Sequence, residues 1–466
     1  MVVSSVGFHT VPTVKTSSDL KVRVVRPSPP HGGHILPASE PAWTVIRPGK
    51  LIDAQGGPPQ TGQAVVIQGS TIHWVGPIES AEAPGGPLAA NKIYQTLDYP
   101  NATLLPGLID CHTHTNMPGD GRSGEKVNLD DTDDIRLLRS AQNVGMALAS
   151  GVTTLCDCGA WHDTAFSLRQ SVESGLVPGS RVLASGRPIT VTGGHLWYMG
   201  AEADGIEGVR SQVRQLIKQK ADFIKVAASG GSTSTSDPFR PSFTEPEMIT
   251  LVEEAHNRGR PVAAHCRCTG AIKNALAAGV DMVLHCFFCE SDGAYNFDPE
   301  TAKRLAGAGV WVNPTLHLGR TRRNVLRQKR EVEELTPQEQ TQLETLEAND
   351  GPRLERCARL IDAGVRLLGG SDCGWGSYPF GDFQGELIAM ADAGLSPLAA
   401  IIAGTRDGAT AMGVSGRIGT VEPGKEADLL VVEGDPSRDL EDLRKVKAVF
   451  RAGVKVPVLE APGSQA

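Results

Sequence analysis

The sequence predicts an α/β chain: a (β/α)8 TIM-like barrel with a small β-sandwich domain built from both chain ends. The first observation is that residues 105–414 contain short apolar runs that alternate with polar or Gly-rich turns and helical patterns. The second is that β patterns without intervening helical patterns flank this region on both sides. The apolar runs number eight, which is the number of parallel strands that closes such a barrel.

Four segments outside the barrel complete the predicted organisation. Residues 1–42 are predicted to be an N-terminal extension, because their Pro and Gly residues disfavour helices and central strands. Residues 43–104 and 415–459 carry short β patterns separated by turns, and we expect them to form the two parts of the β-sandwich. Residues 460–466 are predicted to be a disordered tail.

The barrel runs have the character of buried parallel strands, since most of their residues are apolar or β-branched. Between the last two runs lies a longer segment, 323–363, rich in Glu, Arg and Gln, which predicts a solvated pair of helices. The eight runs are 105–109, 151–157, 181–186, 223–227, 261–265, 282–285, 310–313 and 365–369.

Composition argues against several classes of protein. The net charge of -8 leaves no dominant basic face for a nucleic acid. No window approaches 18 uninterrupted apolar residues, so no membrane span is predicted. The nine cysteines are scattered, and residues 1–18 lack a secretory signal pattern, so we expect reduced thiols and a cytoplasmic protein.

A His-x-His motif ends the first barrel run. In a strand, alternate residues share a face, so His112 and His114 point the same way and can hold one metal ion. Two histidines on a polar loop would be the alternative. Because active sites of such barrels lie at the carboxyl ends of the strands, other ionisable residues there belong to the same candidate site.

Four such residues follow later in the chain: Lys225, His265, His285 and Asp372. Lys225 lies within an apolar strand, where desolvation lowers the pKa of an amine and favours its neutral form. A neutral amine can take up carbon dioxide and become a carbamate whose two oxygens bridge two cations. A lysine paired with a carboxylate is the alternative.

These residues and their surroundings resemble the amidohydrolase superfamily, within its branch of imidazolonepropionase, Xaa-Pro dipeptidases, ochratoxin-type amidases and molinate (thiocarbamate) hydrolases. Imidazolonepropionase uses a mononuclear site, whereas Lys225 indicates the binuclear subtype. The resemblance extends from Trp43 to Val454. Its motifs are the run from Leu105 to His114, Lys225 on its strand, His265, His285, Gly370-Ser371-Asp372 and the tail from Gly419 to Leu429.

The resemblance implies two divalent metal ions with a hydroxide between them as the nucleophile. Asp372 would then act first as a base and afterwards as an acid. Nitrogen and oxygen ligands suit zinc, cobalt or manganese. The implied ligands are His112, His114 and Asp372 for one ion, His265 and His285 for the other, and Lys225 as N6-carboxylysine for both.

Substrate contacts are predicted from loops near these ligands. His195 follows a Gly-Gly pair and is a candidate donor to the substrate carbonyl, or an ordinary loop histidine. Arg187 follows a strand end and would bind a substrate carboxylate or oxyanion, or pair with a structural acid. The aromatic residues near these positions are predicted to form apolar walls of the substrate pocket. The alternative is that their loops pack against the barrel. The predicted catalytic residues are Asp372 and His195, and the predicted substrate-binding residues are His195, Arg187, His317, Trp197, Tyr198, Trp375 and Tyr378.

The predicted function is hydrolysis, by a metal-activated hydroxide, of an amide, carbamate or thiocarbamate bond in a small, partly apolar substrate. A Xaa-Pro or N-acyl amino acid dipeptidase and a phosphotriester hydrolase are the alternative enzymes. The alternative that is not an enzyme is a non-catalytic scaffold of the same fold. A scaffold would lack some of the metal ligands, whereas all six ligand positions carry a residue able to bind metal. Relatives are often tetramers or larger, so we expect a homo-oligomer whose partner is a small-molecule substrate.

Overall fold

The structure, a computed structural model, describes residues 43–89 and 94–457. The predicted N-terminal extension, 1–42, and the predicted tail, 460–466, lie outside the described residues. The strands are β1 (Trp43–Leu51), β2 (Gln63–Gln68), β3 (Thr71–Pro77), β4 (Gln95–Pro106), β5 (Leu108–Thr113), β6 (Val152–Asp157), β7 (Arg181–Ala184), β8 (Ile224–Ala227), β9 (Val262–Cys268), β10 (Met282–Cys289), β11 (Trp311–Asn313), β12 (Arg366–Leu367), β13 (Leu429–Glu433), β14 (Val446–Arg451) and β15 (Val454–Val456).

Most of the helices lie between the strands of the barrel. They are α1 (Ile78–Glu82), α2 (Gly124–Asp130), α3 (Asp133–Ala149), α4 (Thr164–Glu173), α5 (Gly205–Lys218), α6 (Glu245–His256), α7 (Thr269–Ala278), α8 (Pro299–Ala308), α9 (His317–Val332), α10 (Pro337–Asp362), α11 (Gln384–Asp392), α12 (Pro397–Ala403) and α13 (Arg406–Ala411). Two short 3-10 helices span Trp197–Met199 and Leu440–Arg444.

All eight predicted barrel strands are present, as β5 to β12, and neighbouring strands pair in parallel. They form one sheet of three strands, β5-β6-β7, and one of five, β8 to β12 in order. Isolated parallel bridges join the remaining edges: Ile189 pairs with Val226, and Thr113 pairs with Cys373. The result is a TIM-like arrangement in which regular sheet pairing is interrupted at two seams.

The barrel strands are buried on both faces, although some of their residues are polar. All four residues of β8 and all six of β6 are buried. The outer helices contribute one apolar stripe each; on α5 it consists of Val209, Val213 and Leu216, spaced by four and three residues. This packing holds the strands rigidly, so side chains at their carboxyl ends have fixed positions.

Strands from both ends of the described chain form one mixed sheet in the order β15-β14-β13-β4-β1-β2-β3. A single hydrophobic cluster contains Ile46 and Ile72 from its N-terminal strands and Leu429 and Phe450 from its C-terminal strands. The two ends therefore build a joint core. Because the seven strands are assigned to one sheet, the form of a β-sandwich and the predicted domain boundaries stay predictions.

Two further sequence expectations concern cysteines and membranes. All nine cysteines are free, and only Cys289 is not fully buried. Among the described helices, none is both long enough and apolar enough to cross a bilayer.

Candidate metal centre

A cavity of about 530 Å³ opens at the carboxyl ends of the barrel strands. It contains the ends of β5, β8, β9 and β10 and the loop that follows β12, as expected for the active-site end of such a barrel. All six predicted metal ligands line it: His112, His114, Lys225, His265, His285 and Asp372.

Three of these residues converge on one point. Oδ1 of Asp372 lies 3.4 Å from Nε2 of His112 and 3.4 Å from Nε2 of His114. The three potential ligand atoms lie within 4.8 Å of one another, and all three residues are buried. Two imidazole nitrogens and a carboxylate oxygen in this arrangement fit a divalent cation of the zinc type.

Hydrogen bonds fix which nitrogen each of these histidines presents. Nδ1 of His112 lies 2.9 Å from Oδ1 of Asn313, whose own amide group donates to the backbone oxygen of Gly370. Nδ1 of His114 lies 3.1 Å from the backbone oxygen of Gly159. Because a carbonyl oxygen only accepts, both Nδ1 atoms carry the proton and both Nε2 atoms are free to bind a metal.

Lys225 lies next to this cluster. Its Nζ is 3.3 Å from Nε2 of His112, and its side chain is fully buried on β8. No carboxylate among the described residues pairs with it within 4.0 Å, so the alternative of a lysine paired with an acid does not hold. Burial lowers the pKa of Lys225, which favours the neutral amine that carboxylation requires.

His265 and His285 lie on the other side of the cavity. Their ring centres are 4.5 Å apart, and the ring of His285 is 5.2 Å from that of His112. Nε2 of His265 donates to the backbone oxygen of Gly230 at 3.1 Å, which leaves its Nδ1 free. Burial and neighbouring positive groups hold the pKa of both histidines well below the usual range, so both are neutral and able to ligate.

Two ligand residues have left-handed backbone conformations. The φ angle is 70° at His285, where β10 departs from regular pairing with β9, and 60° at Asp372. Non-glycine residues adopt such angles at a free-energy cost of about 1–3 kcal/mol. The surrounding barrel holds these two residues in place, which is typical of a functional site.

Buried carboxylates that the sequence analysis did not single out position the ligand loops. Asp110 accepts hydrogen bonds from the backbone N–H of His112 at 3.2 Å and of Ser371 at 2.9 Å. Asp157 accepts from the backbone N–H groups of Thr115 and Gly159. Burial raises the pKa of Asp110 to about 7. The signal for both was visible as an acidic residue at a strand end, in Ile109-Asp110-Cys111 and Cys156-Asp157-Cys158.

The cysteines next to four of the ligands are packing residues. Cys111, Cys266, Cys286 and Cys373 are all buried. Burial raises the pKa of the Cys286 thiol to about 12 and those of Cys266 and Cys373 well above the usual range. Protonated thiols are poor metal ligands, so the candidate ligand atoms of this site are nitrogen and oxygen.

Two of the predicted substrate-contacting residues line the cavity. His195 is buried, its ring centre is 4.6 Å from that of His265, and its Nδ1 lies 2.9 Å from Oγ1 of Thr233. Burial lowers the pKa of His195 to about 3, so the imidazole is neutral. Trp375 also lines the cavity, with its ring centre 5.4 Å from that of His114.

The other five predicted substrate-contacting residues do not line it. Arg187 instead lies 3.5 Å from Asp163 and donates to Gln219, because its strand end turns outward toward α5. His317 begins α9, and its Nε2 lies 3.0 Å from Asp382. The remaining aromatic residues contact neighbouring side chains or backbone and do not line the cavity: Trp197, Tyr198 and Tyr378.

Several residues that the sequence analysis did not predict line the cavity. Arg267 directly follows the His265-Cys266 pair, and Phe287 follows the His285-Cys286 pair. Arg353 comes from α10, within the segment predicted to be a solvated helical pair. The helices are present, but α10 thus also contributes to the cavity wall.

Known proteins resemble this chain in sequence and in fold. A sequence profile of the amidohydrolase family matches residues 103–456. Ochratoxinase from Aspergillus niger is 27% identical over 459 aligned residues, which cover 92% of this chain and 89% of that protein. A crystal structure of a Xaa-Pro dipeptidase with methionine in its active site aligns with a TM-score of 0.75 and 26% identity, over 89% of this chain and 99% of the other. Molinate hydrolase, with a TM-score of 0.73 and 21% identity over 90% of this chain and 96% of its own, shares the fold.

Proposed function

This chain belongs to the amidohydrolase family, and on that premise we propose that it is a binuclear metal-dependent hydrolase that cleaves an amide bond in a small, partly apolar substrate. The observation that carries the proposal is the convergence of His112, His114 and Asp372, with the amine of Lys225, which has no carboxylate partner among the described residues, next to them. A non-catalytic scaffold would have no reason to keep six ionisable side chains buried at one end of the barrel.

The proposed ligands divide into two sets around Lys225. His112, His114 and Asp372 would hold one ion, and His265 and His285 would hold the other. Lys225, as its carbamate, would serve both ions. When bound, two such divalent cations supply an activated water molecule and polarise the scissile carbonyl.

Asp372 is the proposed catalytic base and acid. Its Oδ1 faces both histidines, and its second carboxylate oxygen has no hydrogen-bond partner among the described residues. That oxygen accepts a proton from the attacking water and donates it to the leaving nitrogen. His195, which is neutral and lies beside His265, orients the substrate carbonyl by donating a hydrogen bond.

The cavity supports a small substrate with both polar and apolar parts. Its volume of about 530 Å³ lies in the usual range of small-molecule pockets. Its apolar lining includes Leu196, Phe287, Leu318 and Trp375. An amide is preferred because ochratoxinase, at 27% identity, and the Xaa-Pro dipeptidase, at 26%, resemble this chain over nearly their whole lengths; carbamates, thiocarbamates and phosphotriesters are the other substrates to be assayed.

The test combines metal analysis with a substrate panel. Protein purified without chelator is analysed for metal and assayed with prolyl dipeptides, N-acyl amino acids, a carbamate, a thiocarbamate and a phosphotriester. We expect about two divalent ions per chain and hydrolysis of at least one amide that is lost on chelation and restored by zinc, cobalt or manganese. Fewer than about one ion per chain and no hydrolysis would instead favour the scaffold.

A further inference from the structure

Two arginine side chains face the same cavity as the proposed metal ligands. Arg267 lies on β9, two residues after His265, and Arg353 lies on α10. The two reach the cavity from separate parts of the fold, a barrel strand and the helical segment between β11 and β12. Neither is among the predicted metal ligands or their hydrogen-bond partners.

Neither guanidinium has an acidic partner. Within the part of the chain that the structure describes, no carboxylate lies within 4.0 Å of Arg267 or Arg353. Asp350 is near Arg353 in the sequence, but its two oxygens pair with Arg320 at 3.1 Å and Arg323 at 2.8 Å. A half-buried guanidinium without a carboxylate is costly unless the cavity supplies an anion or water.

A third arginine, Arg356, adds positive charge to the wall of the cavity that Arg267 and Arg353 form. The Arg356 guanidinium lies 4.5 Å from the ring centre of Phe287, and that of Arg267 lies 5.7 Å from the same centre. Burial, and then the charge of Arg356, lower the pKa of Arg353. The wall is thus positively charged beside an apolar ring, a combination suited to an anion attached to an apolar group.

The other arginines of the cavity, Arg122 and Arg322, and the carboxylate of Glu125 have hydrogen-bond partners within the described chain. Arg122 pairs with Asp120 at 2.8 Å. Arg322 donates to Gln342 at 3.0 Å. Glu125 accepts from Ser234 at 3.0 Å. Among the cavity arginines of the described chain, Arg267 and Arg353 are therefore the two whose guanidiniums have neither a carboxylate nor a hydrogen-bond partner.

The packing of α9 leaves room for Arg353 in particular. A Cβ atom added at Gly319 would lie 1.9 Å from Nη1 of Arg353. Any other residue at position 319 would therefore displace the guanidinium from its present position. Gly319 itself lines the cavity, so the guanidinium reaches the cavity across this glycine.

We propose that Arg267 and Arg353 form a carboxylate subsite, and that the substrate is an N-acyl amino acid or dipeptide whose free carboxylate is adjacent to the scissile amide. Planar guanidiniums match a carboxylate with two parallel hydrogen bonds. The side chain next to the carboxylate packs against Phe287, Leu318 and Leu346, which line the same wall. This inference rests on the proposed amide hydrolysis and names the class of amide.

The test is a pair of ligands that differ only in the charged group. Binding of N-acetyl-L-leucine and of N-acetyl-L-leucine amide to the purified full chain is measured by calorimetry. We expect the acid to bind at least about 10-fold more tightly than the amide. Arg267→Gln and Arg353→Gln should each weaken binding of the acid by about 10- to 100-fold while leaving the affinity for the amide unchanged.

Two further variants test whether the preference for the acid depends on the position of the Arg353 guanidinium and not merely on the removal of an arginine. Gly319→Ala keeps every charge but displaces the Arg353 guanidinium, so it should also reduce the preference for the acid. Arg187→Gln removes an arginine that lies outside the cavity and should leave the preference unchanged. Equal affinity for acid and amide in the unmodified protein, absence of binding by both, or a preference that survives Arg267→Gln/Arg353→Gln would each overturn the proposal.

Hydrolysis is scored separately in the same preparations. If the acid is bound through the arginines but no amide of the panel is cleaved, the carboxylate subsite stands and the proposed function fails. If N-acyl amino acids and their capped amides are cleaved equally well, the function stands and the subsite fails.

Discussion

The side chain of Asn313 holds the imidazole of His112 in one orientation, with Oδ1 of Asn313 2.9 Å from Nδ1 of His112. The amide nitrogen of Asn313 donates to the backbone oxygen of Gly370, two residues before Asp372. The buried amide of Asn313 thus connects His112 to the backbone just before Asp372. Both His112 and Asp372 are proposed ligands of the first metal ion. Partners of this kind determine which nitrogen of a histidine is free to bind.

Replacing Asn313 by Ala should therefore weaken metal binding without removing a ligand. We expect a loss of about 10- to 100-fold in metal affinity, measured by competition with a chelator of known affinity. Asn313→Asp keeps an acceptor for Nδ1 and should restore part of the affinity. Asn274→Ala is the matched control, since that amide also donates to a backbone oxygen but has no contact with a proposed ligand. Equal loss in both alanine variants would contradict the assignment.

Lys225→Met should remove the proposed bridging group while keeping an unbranched side chain in the barrel. The expected result is a fall from about two metal ions per chain to about one or fewer, with loss of hydrolysis. In protein prepared with ¹³C-bicarbonate, a carbamate carbon signal should be present in the unmodified chain and absent in the variant. Lys218→Met, at an exposed position on α5, is the control. A fully metallated and active Lys225→Met protein would show that the lysine is not a bridge.

Asp372→Asn should reduce kcat by about 10²- to 10⁴-fold, because the amide cannot accept the proton of the attacking water. The measurement is made at saturating metal, with metal content determined on the same samples, so that loss of an ion is separated from loss of the base. Asp382→Asn removes a carboxylate outside the cavity and should retain activity. A kcat within about tenfold of the unmodified enzyme would exclude Asp372 as the base.

Glu386 should make the stability of the chain depend on pH. Burial raises the pKa of Glu386 to about 8, from an ordinary value of 4.5, although it accepts the backbone N–H groups of Leu316 and His317. The folded chain therefore retains a proton that the unfolded chain releases. The free energy of unfolding should fall as pH rises from about 4.5 to about 8, by up to about 1.4 kcal/mol per pH unit for this proton.

The check compares urea unfolding of the unmodified chain and Glu386→Gln at pH 5 and pH 8. The variant should lose this component of the pH dependence, even though its amide leaves one backbone N–H unpaired and lowers stability by about 1–3 kcal/mol at both pH values. Identical pH slopes for the two proteins would assign the effect to other groups.

The barrel strands, and the six candidate ligands that meet in one cavity at their carboxyl ends, could be predicted from sequence because both follow from local patterns. His112 and His114 are two residues apart on a strand, so their shared direction follows from the strand itself. Lys225 is conspicuous because a lysine rarely occurs in the middle of a buried run. The cavity does contain all six predicted ligands.

The walls of the cavity could not be predicted in the same way. Arg187 follows a strand end, as a pocket residue would, yet its loop turns the guanidinium toward Asp163. Arg353 lies in a polar helical segment, and its place in the cavity depends on the close approach of α9 at Gly319. Such positions are set by the packing of distant segments, about which a single sequence contains little local signal.

The hydrogen bonds that Ser371 donates to the carboxylate of Asp110 join the first barrel strand to the loop after the last one, across 261 positions of sequence. The seam between β5 and β12 is also where regular pairing is reduced to the single bridge from Thr113 to Cys373. Asp372 can approach His112 and His114 only after this seam has closed. An ion held by those three side chains would consequently be acquired late, by a barrel already assembled, and a nascent chain that ends before residue 366 would have no site in which to retain it.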